Sequence, residues 1–334
     1  MSTVYHDKDA NIEVLKGKIV GVVGYGNQGR PQALNLRDSG INVIIGCIPD
    51  SYRETAKRDG HTVLGIEEAV QKSDIVVIAV PDEVQPAVYK ASIEKHLRPG
   101  MTLCFPSGYC IHFAQIVPPN DVDVVMLAPR LMGIAVRETF LQGRGSSAEA
   151  GVAQDFSGQA WQTMLALAKG MGCTRAGVFK SSFSEETEID LFCEQAVWPA
   201  ILDCLITAFE VLVEHGHAPE DVAFELYASG EASHTFGEMA TQGIFEQMKH
   251  HSVTSQYGTL SRRKGGAGEG LRARMETALK KIRDGSFARE WTQEAAKGYP
   301  TLNKLRRELA DHSLAEADRS ARRLASYPFE KQSR

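Results

Sequence analysis

Glu186, Asp190 and Glu194 in the stretch EETEIDLFCEQAVWP stand at i, i+4 and i+8. On a helix that spacing puts all three carboxylates on one face. The residues around them, Leu191, Phe192, Ala196, Val197 and Trp198, leave little of such a helix polar. A solvated acidic stripe is the plain reading. Carboxylates in apolar surroundings, however, repel one another unless a cation lies between them. Hard oxygen donors suit magnesium, which takes one or two carboxylates plus waters and substrate oxygens. Glu225 and Glu231, in AFELYASGEAS, could complete the set. On a regular helix, six residues turn the second acid away from the first, so pairing them requires a distortion.

A different chemistry is written in Lys18 to Arg30, KIVGVVGYGNQGR. A buried apolar run feeds into Gly24-Tyr25-Gly26-Asn27-Gln28-Gly29, and a helix-like QALNLRDSG follows. Strand, tight glycine turn and helix start form a cradle in which a dinucleotide pyrophosphate meets backbone N–H groups and a favourable helix dipole. Asp50, in CIPDSYR, lies about twenty residues on, where such folds place an acid on the ribose 2′-hydroxyl. Arg53, close by, could instead hold a 2′-phosphate. An acid at the strand end repels a phosphate, so the lean is to NADH over NADPH.

These residues need a scaffold, and the apolar runs supply one. Asn42 to Gly46, Ile75 to Val80, Met101 to Phe105 and Val122 to Leu127 read as further strands. Each ends in a polar cluster: around Asp50, at Pro81-Asp82-Glu83-Val84-Gln85-Pro86, at Pro106-Ser107-Gly108, and at Ala128-Pro129-Arg130. In an open parallel sheet the carboxyl ends of strands form the ligand-binding edge, so these four turns should converge on one crevice. A helix over Gln159 to Met171 and a last strand over Thr174 to Phe179 finish this half. From Ser184 onward the period changes to 3.6, which predicts a helical second domain. The expected division is residues 1–182, a Rossmann-type α/β domain; 183–327, an all-α domain; and 328–334, a tail. Lys264 to Gly270, KGGAGEG, reads as a loop.

Composition limits the partners. The formal charge of −5 over 334 residues argues against nucleic acid. No run approaches the ~18 apolar residues of a membrane span, and Met1 to Asn11 is polar and charged, unlike a secretory signal. A cytoplasmic protein with a small-molecule substrate is expected. The six cysteines are scattered without CxxC spacing, as for buried free thiols. His112 and the pair His250-His251 lack ligand-like spacing and read as structural or surface residues.

The motifs GYGNQG, ALNLRDSG, VPDEVQP, GYCIHFAQIVPP, VDVVMLAP, GCTRAGV, EETEIDLFCEQAV and IRDGSFAREW occur in this order between about residues 12 and 325. Together they closely resemble the ketol-acid reductoisomerase family. The resemblance implies a Rossmann-type domain joined to a knotted helical domain, in a homodimer or larger homo-oligomer. It also implies magnesium-assisted alkyl migration in an acetohydroxy acid, then hydride transfer from NADH or NADPH. Carried over by position, Tyr25, Gly26, Asn27 and Gln28 match the phosphate turn, with Asp50, Ser51 and Arg53 in the adjoining segment. Asp82, Val84 and Gln85 match a second cofactor contact, and Gly133 a further one. Asp190 and Glu194 match metal ligands, Glu225 a third acid, and Ser252 a substrate-binding serine. The segment from Gly46 to Gly60 is similar to but one residue shorter than that of common NADPH-using members and lacks their arginine.

The departures cluster where chemistry is expected. Ser107 stands where the family has a histidine, Arg130 where it has a lysine, and Leu131-Met132 where it has Gly-Pro. Ser229 occupies the place of a fourth acid, which Glu231 could replace only through local lengthening. A serine hydroxyl cannot relay a proton without an added base, and arginine is effectively never a proton donor. With Ser107, Arg130, Asp190 and Glu194 as catalytic residues, hydride transfer to a small 2-keto acid, or to a related carbonyl or imine carboxylate, is better supported than alkyl migration. True isomeroreductase activity in branched-chain amino-acid biosynthesis, and a catalytically silent cofactor-binding protein, are the alternatives.

Overall fold

A computed structural model describes residues 2–266 and 268–324, so the expected tail, 328–334, lies outside the described residues. The chain divides into two units, Met1–Asp190 and Leu191–Arg334. The division falls within a helix that starts at Phe183.

The first unit is built on nine strands: β1 (Val4–Tyr5), β2 (Ile19–Val23), β3 (Asn42–Gly46), β4 (Thr62–Leu64), β5 (Ile75–Ile78), β6 (Thr102–Phe105), β7 (Asp123–Pro129), β8 (Ala148–Gln154) and β9 (Val178–Lys180). Their order in the sheet is β1-β9-β8-β7-β6-β5-β2-β3-β4. From β4 to β7 all pairings are parallel, whereas β8 runs antiparallel to β7 and β1 antiparallel to β9. The central strands are rich in Val and Ile because helices cover both faces, burying all of β5 and all of β2 but the half-buried Ile19 at its start. The antiparallel margin was not legible, since β8 (AEAGVAQ) is rich in small residues with weak strand propensity. Thr174, expected in the last strand, lies instead in the short helix Cys173–Ala176, and β9 starts at Val178 beyond Gly177.

The strand order reverses between β2 and β5, and helix α1 (Gly29–Asp38) begins directly over that point. The glycines of the first turn have distinct tasks. Gly24 takes φ +95°, open to glycine at no steric cost. A Cβ on Gly29 would lie 2.2 Å from the Gly24 carbonyl oxygen, so α1 can start this close to β2 only because Gly29 has none. Val20, Val22, Ala33, Leu36, Met164 and Leu167 then pack into one core between the sheet and the helices Gly29–Asp38 and Ala160–Met171.

The second unit is helical, as the 3.6-residue period requires, with π-helical turns at Cys193–Val197 and Phe224–Ala228. Among the described residues Phe209, Val222, Ala223, Ala317 and Ala321 form a buried cluster in it, with Val213, Leu226, Tyr227 and Leu314 packed alongside. The expected loop over Lys264–Gly270 is helical on either side of Ala267, in Val253–Gly266 and Gly268–Arg283. The helical run Phe183–Glu214, 32 residues, is long and apolar enough by length and composition to cross a membrane, contrary to the sequence expectation. Pro199, Asp203 and Glu210 interrupt it, and that is why no continuous apolar run was visible. Trp198, Leu202 and Val211 remain about half exposed on it. Of the cysteines, Cys47, Cys104, Cys110 and Cys173 are buried as expected, but Cys204 is exposed.

Gly29→Ala is expected to destabilise the protein by about 1–3 kcal/mol through overpacking against the Gly24 carbonyl. A lowered denaturation midpoint at unchanged m-value checks this; an unshifted midpoint would show that the turn yields freely.

Candidate active site

The ends of β2, β3, β5 and β6 enclose a cavity of about 570 Å³ in the first unit, at the reversal of strand order. Of the residues expected to hold a cofactor, Tyr25, Gly26, Asn27, Gln28, Asp50, Asp82, Val84 and Gln85 line it, with Ser107. Ser51, Arg53 and Gly133 do not. The turn after β7, expected in the same crevice, lies outside the lining, and so do Leu131 and Met132, whose side chains are exposed. That turn is still tied to the cradle: Gln28 Nε2 donates to the Leu131 carbonyl at 3.1 Å. A Cβ on Gly133 would fall 1.6 Å from the Asn27 carbonyl, so Gly133 shapes the turn from behind.

Three details of the cradle were invisible in the sequence. The Tyr25 ring is buried, its hydroxyl donating to Asp59 Oδ2 at 2.9 Å, and Arg30 Nε donates to the same oxygen at 2.7 Å. Burial first, and then the Asp59 hydrogen bond, drive the Tyr25 phenol well above its ordinary range. Tyr25 is therefore a fixed wall of the turn. Asp50 caps helix α2 (Ser51–Arg58) by accepting from Arg53 N at 2.9 Å, while the Arg53 guanidinium donates to the Cys47 carbonyl at 2.9 Å. Cys47, Ile48, Tyr52 and Ile66 supply an apolar flank that the sequence did not single out.

At the edge of the cavity Ser107 Oγ donates to Asp82 Oδ1 at 3.0 Å, and Gln85 Nε2 donates to the same oxygen at 3.1 Å. Burial pushes the Asp82 carboxyl up to about 6, the nearby charges of Glu83 and Asp190 adding to it and the Ser107 hydrogen bond opposing it. One residue on, Gly108 N donates to Glu186 Oε2 at 2.7 Å. Glu186 is fully buried, and its other oxygen accepts from Arg130 Nη1 at 2.9 Å. The second arm of Arg130 pairs with Asp190 Oδ1. Burial raises the Glu186 carboxyl to about 7 in spite of both donors. The cation that the acidic face requires is therefore present in the chain itself, at Arg130.

The remaining expected ligands lie in the second unit. Glu194 is exposed on the π turn Cys193–Val197 and Glu225 exposed on the π turn Phe224–Ala228. The distortion needed between Glu225 and Glu231 exists: Gly230, at φ +89°, ends one helix and Glu231 starts the next, Glu231–Gln242. It does not unite the two acids. Glu231 lines a separate cavity of about 430 Å³ with His234, Glu238, His250 and His251, and Glu225 does not. His250 and His251 bond Gln242 and Gln247 at 2.7 and 3.0 Å, as befits structural histidines. Ser252 Oγ accepts from Ser255 N and so starts the helix Val253–Gly266. Among the described residues no three His, Cys, Asp or Glu donors gather as a metal site.

Comparison with known proteins agrees with this architecture. Residues 14–177 match the family model described as "Acetohydroxy acid isomeroreductase, NADPH-binding domain", and residues 183–327 match "Ketol-acid reductoisomerase, C-terminal domain". A ketol-acid reductoisomerase (NADP(+)) of Methanocaldococcus jannaschii is 42% identical over 97% of this chain and 98% of its own. The one from Pyrobaculum arsenaticum is 43% identical over 97% and 99%. Among solved structures, an NADH-preferring ketol-acid reductoisomerase from an uncultured archaeon superposes with a TM-score of 0.93, at 38% identity, covering 97% of this chain and 99% of that one.

The raised Asp82 carboxyl makes a stability prediction. The folded state binds this proton more tightly than the unfolded chain, so the contribution is complete below pH 4 and is lost as pH rises through about 6. Asp82→Asn is expected to flatten that slope and to be more stable than the parent above pH 6. Denaturation midpoints between pH 3.5 and 7.5 measure it, and an unaltered slope would sink it.

Proposed function

Because the chain belongs to the ketol-acid reductoisomerase family, we propose that it catalyses both alkyl migration in a 2-acetolactate-type acid and reduction of the product, as in branched-chain amino-acid biosynthesis. The observation that carries this reading is the 42% identity running through 97% of the chain to a relative named for that activity. It outweighs the reduction-only reading that Ser107, Arg130, Leu131, Met132 and Ser229 suggested by themselves. A dihydronicotinamide supplies the hydride. The glycine turn, which lines the cavity at the strand ends, would hold the dinucleotide's pyrophosphate, and Asp50 would meet the adenosine ribose.

NADH is the favoured cofactor in this proposal. The Arg53 guanidinium, the sequence's candidate for a 2′-phosphate, turns its Nη1 to the Cys47 carbonyl and does not line the cavity. A 38% identical structure named NADH-preferring supports the same choice, although the relatives cited above carry NADP(+) in their names. Magnesium would be held by the carboxylates of Asp190 and Glu194, where it polarises substrate oxygens. The donor set fits only if the guanidinium yields, since Arg130 holds Asp190 Oδ1. This in-chain ion pair is the specific observation that favours a second reading, reduction of a 2-keto acid without migration. Glu225, Glu231 and Ser252 belong to the proposal as family-matched positions. A second copy of the chain is proposed to cover the exposed apolar side of Phe183–Glu214, making a cytoplasmic homo-oligomer and not a membrane protein.

Nicotinamide absorbance separates the readings. Purified protein is given NADH or NADPH, with and without magnesium, and either 2-acetolactate or the rearranged 3-hydroxy-2-keto acid. Oxidation of NADH with 2-acetolactate is expected. Oxidation with the rearranged acid alone would replace the proposal by the second reading, and no cofactor binding would overturn both. In calorimetry, Arg130→Met is expected to bind Mg²⁺ about two- to fivefold more tightly than the parent, because Asp190 is freed. Weaker binding would refute the competition.

A further inference from the structure

We propose that Ser107 and Asp82 form a two-residue proton relay, in which the Asp82 carboxyl recharges the Ser107 hydroxyl as Ser107 protonates the substrate oxygen that receives negative charge in the reduction. The inference rests on the proposed hydride transfer to a 2-keto acid and deepens it by naming the proton's route. Four observations carry it.

The first is contact. Ser107 Oγ and Asp82 Oδ1 are 3.0 Å apart, a separation that serves a proton moving either way. The second is access: both residues line the 570 Å³ cavity, among the strand ends that cradle the cofactor. The third is fixation. Asp82 Oδ1 also accepts from Gln85 Nε2 at 3.1 Å, and Gln85 Nε2 is anchored on the Val80 carbonyl at 3.0 Å. On the serine side, the Gly108 amide is held by buried Glu186. The fourth is chemistry. Arg130, outside the cavity lining, is bound to two carboxylates and does not give up protons, whereas Ser107 brings into the cavity a hydroxyl backed by an acid.

The step balances. Hydride leaves the dihydronicotinamide for the carbonyl carbon, oxidising the cofactor and reducing the substrate, and the carbonyl π pair moves to oxygen. That oxygen takes the Ser107 hydroxyl proton, Ser107 Oγ takes the Asp82 carboxyl proton, and water restores Asp82. The environment tunes the acid for this use. Burial lifts it to about 6; Glu83 on its own turn and Asp190 on the helix Phe183–Phe192 reinforce the shift, and Tyr109 and Cys110 are the titratable groups facing it from the turn after β6. General acids work best with a pKa near the working pH.

The test uses the full-length protein, NADH and the rearranged 3-hydroxy-2-keto acid, so that reduction is read without migration. In the parent, kcat should fall tenfold per pH unit above a limb near 6, with a rising limb at the same pH in the reverse direction. Ser107→Ala should lose about 10²- to 10⁴-fold in kcat, with KM and the NADH Kd within threefold. Asp82→Asn keeps an acceptor for the Ser107 hydroxyl, so a merely positioning Asp82 would leave kcat and its limb in place, whereas the relay requires a comparable loss and disappearance of the limb. Ser107→His should restore part of the rate with a limb set by the imidazole. A parent that turns over with a flat pH profile, or an Asp82→Asn variant within twofold of it, overturns the relay and leaves the proposed function intact. A parent that binds NADH yet reduces no 2-keto acid overturns the function and the relay with it.

Discussion

The fork of Arg130 between Glu186 and Asp190 is the constraint on which the geometry of the first unit's site depends. Glu186 is buried, and a buried carboxylate is tolerable only when paired and hydrogen-bonded. Arg130 satisfies one of its oxygens and the Gly108 amide the other. Three separate pieces of chain are thereby fixed together: the end of β7, the turn after β6, and the helix Phe183–Phe192. Removing the cation would leave a buried acid facing Asp190 four residues on, and repulsion and desolvation would both favour protonation of one of them. Ser107 occupies the position it does because its neighbour is held in this way.

Close backbone packing fixes the opposite wall of the cavity. Gly29 seats α1 on the Gly24 carbonyl, and Gly133 seats the segment after β7 on the Asn27 carbonyl. The glycine turn is thus clamped on two sides by contacts that admit no side chain. Rigidity there has a chemical use, because a cradle of N–H groups binds phosphate most strongly when it need not reorganise. Tyr25, Arg30 and Asp59 extend the clamp laterally to the end of α2.

The fold was legible because its signals are local and redundant. Five apolar runs, a glycine turn and the onset of a 3.6-residue period all speak for the same layout. The weak strand β8 and the short β1 and β4 escaped, since their formation depends on pairing partners that are distant in sequence. At the site, types and spacing identified the cofactor turn, Asp82, Ser107, Arg130 and the acidic helix face. The demand for a cation among those acids was also readable. Its identity was not, because Arg130 and Asp190 lie sixty residues apart and only the sheet brings them together. The Ser107–Asp82 contact, twenty-five residues apart across two strand ends, was hidden for the same reason.

The second unit shows the reverse balance of local and distant information. Its helices were readable from period alone, yet their burial was not: among the described residues, three of the five buried members of the cluster around Phe209 are alanines. Meanwhile Trp198, Leu202 and Val211 on one long helix, and Phe236, Phe245 and Tyr257 elsewhere in the unit, stay exposed. Apolar area of this extent contributes to stability only once it leaves water. Asp203, within the long helix, would cost roughly 2.5–3.5 kcal/mol at a bilayer centre, whereas a protein interface can leave such an acid at a solvated rim. A protein surface is therefore the cheaper cover, which is the cover that the proposed homo-oligomer would supply.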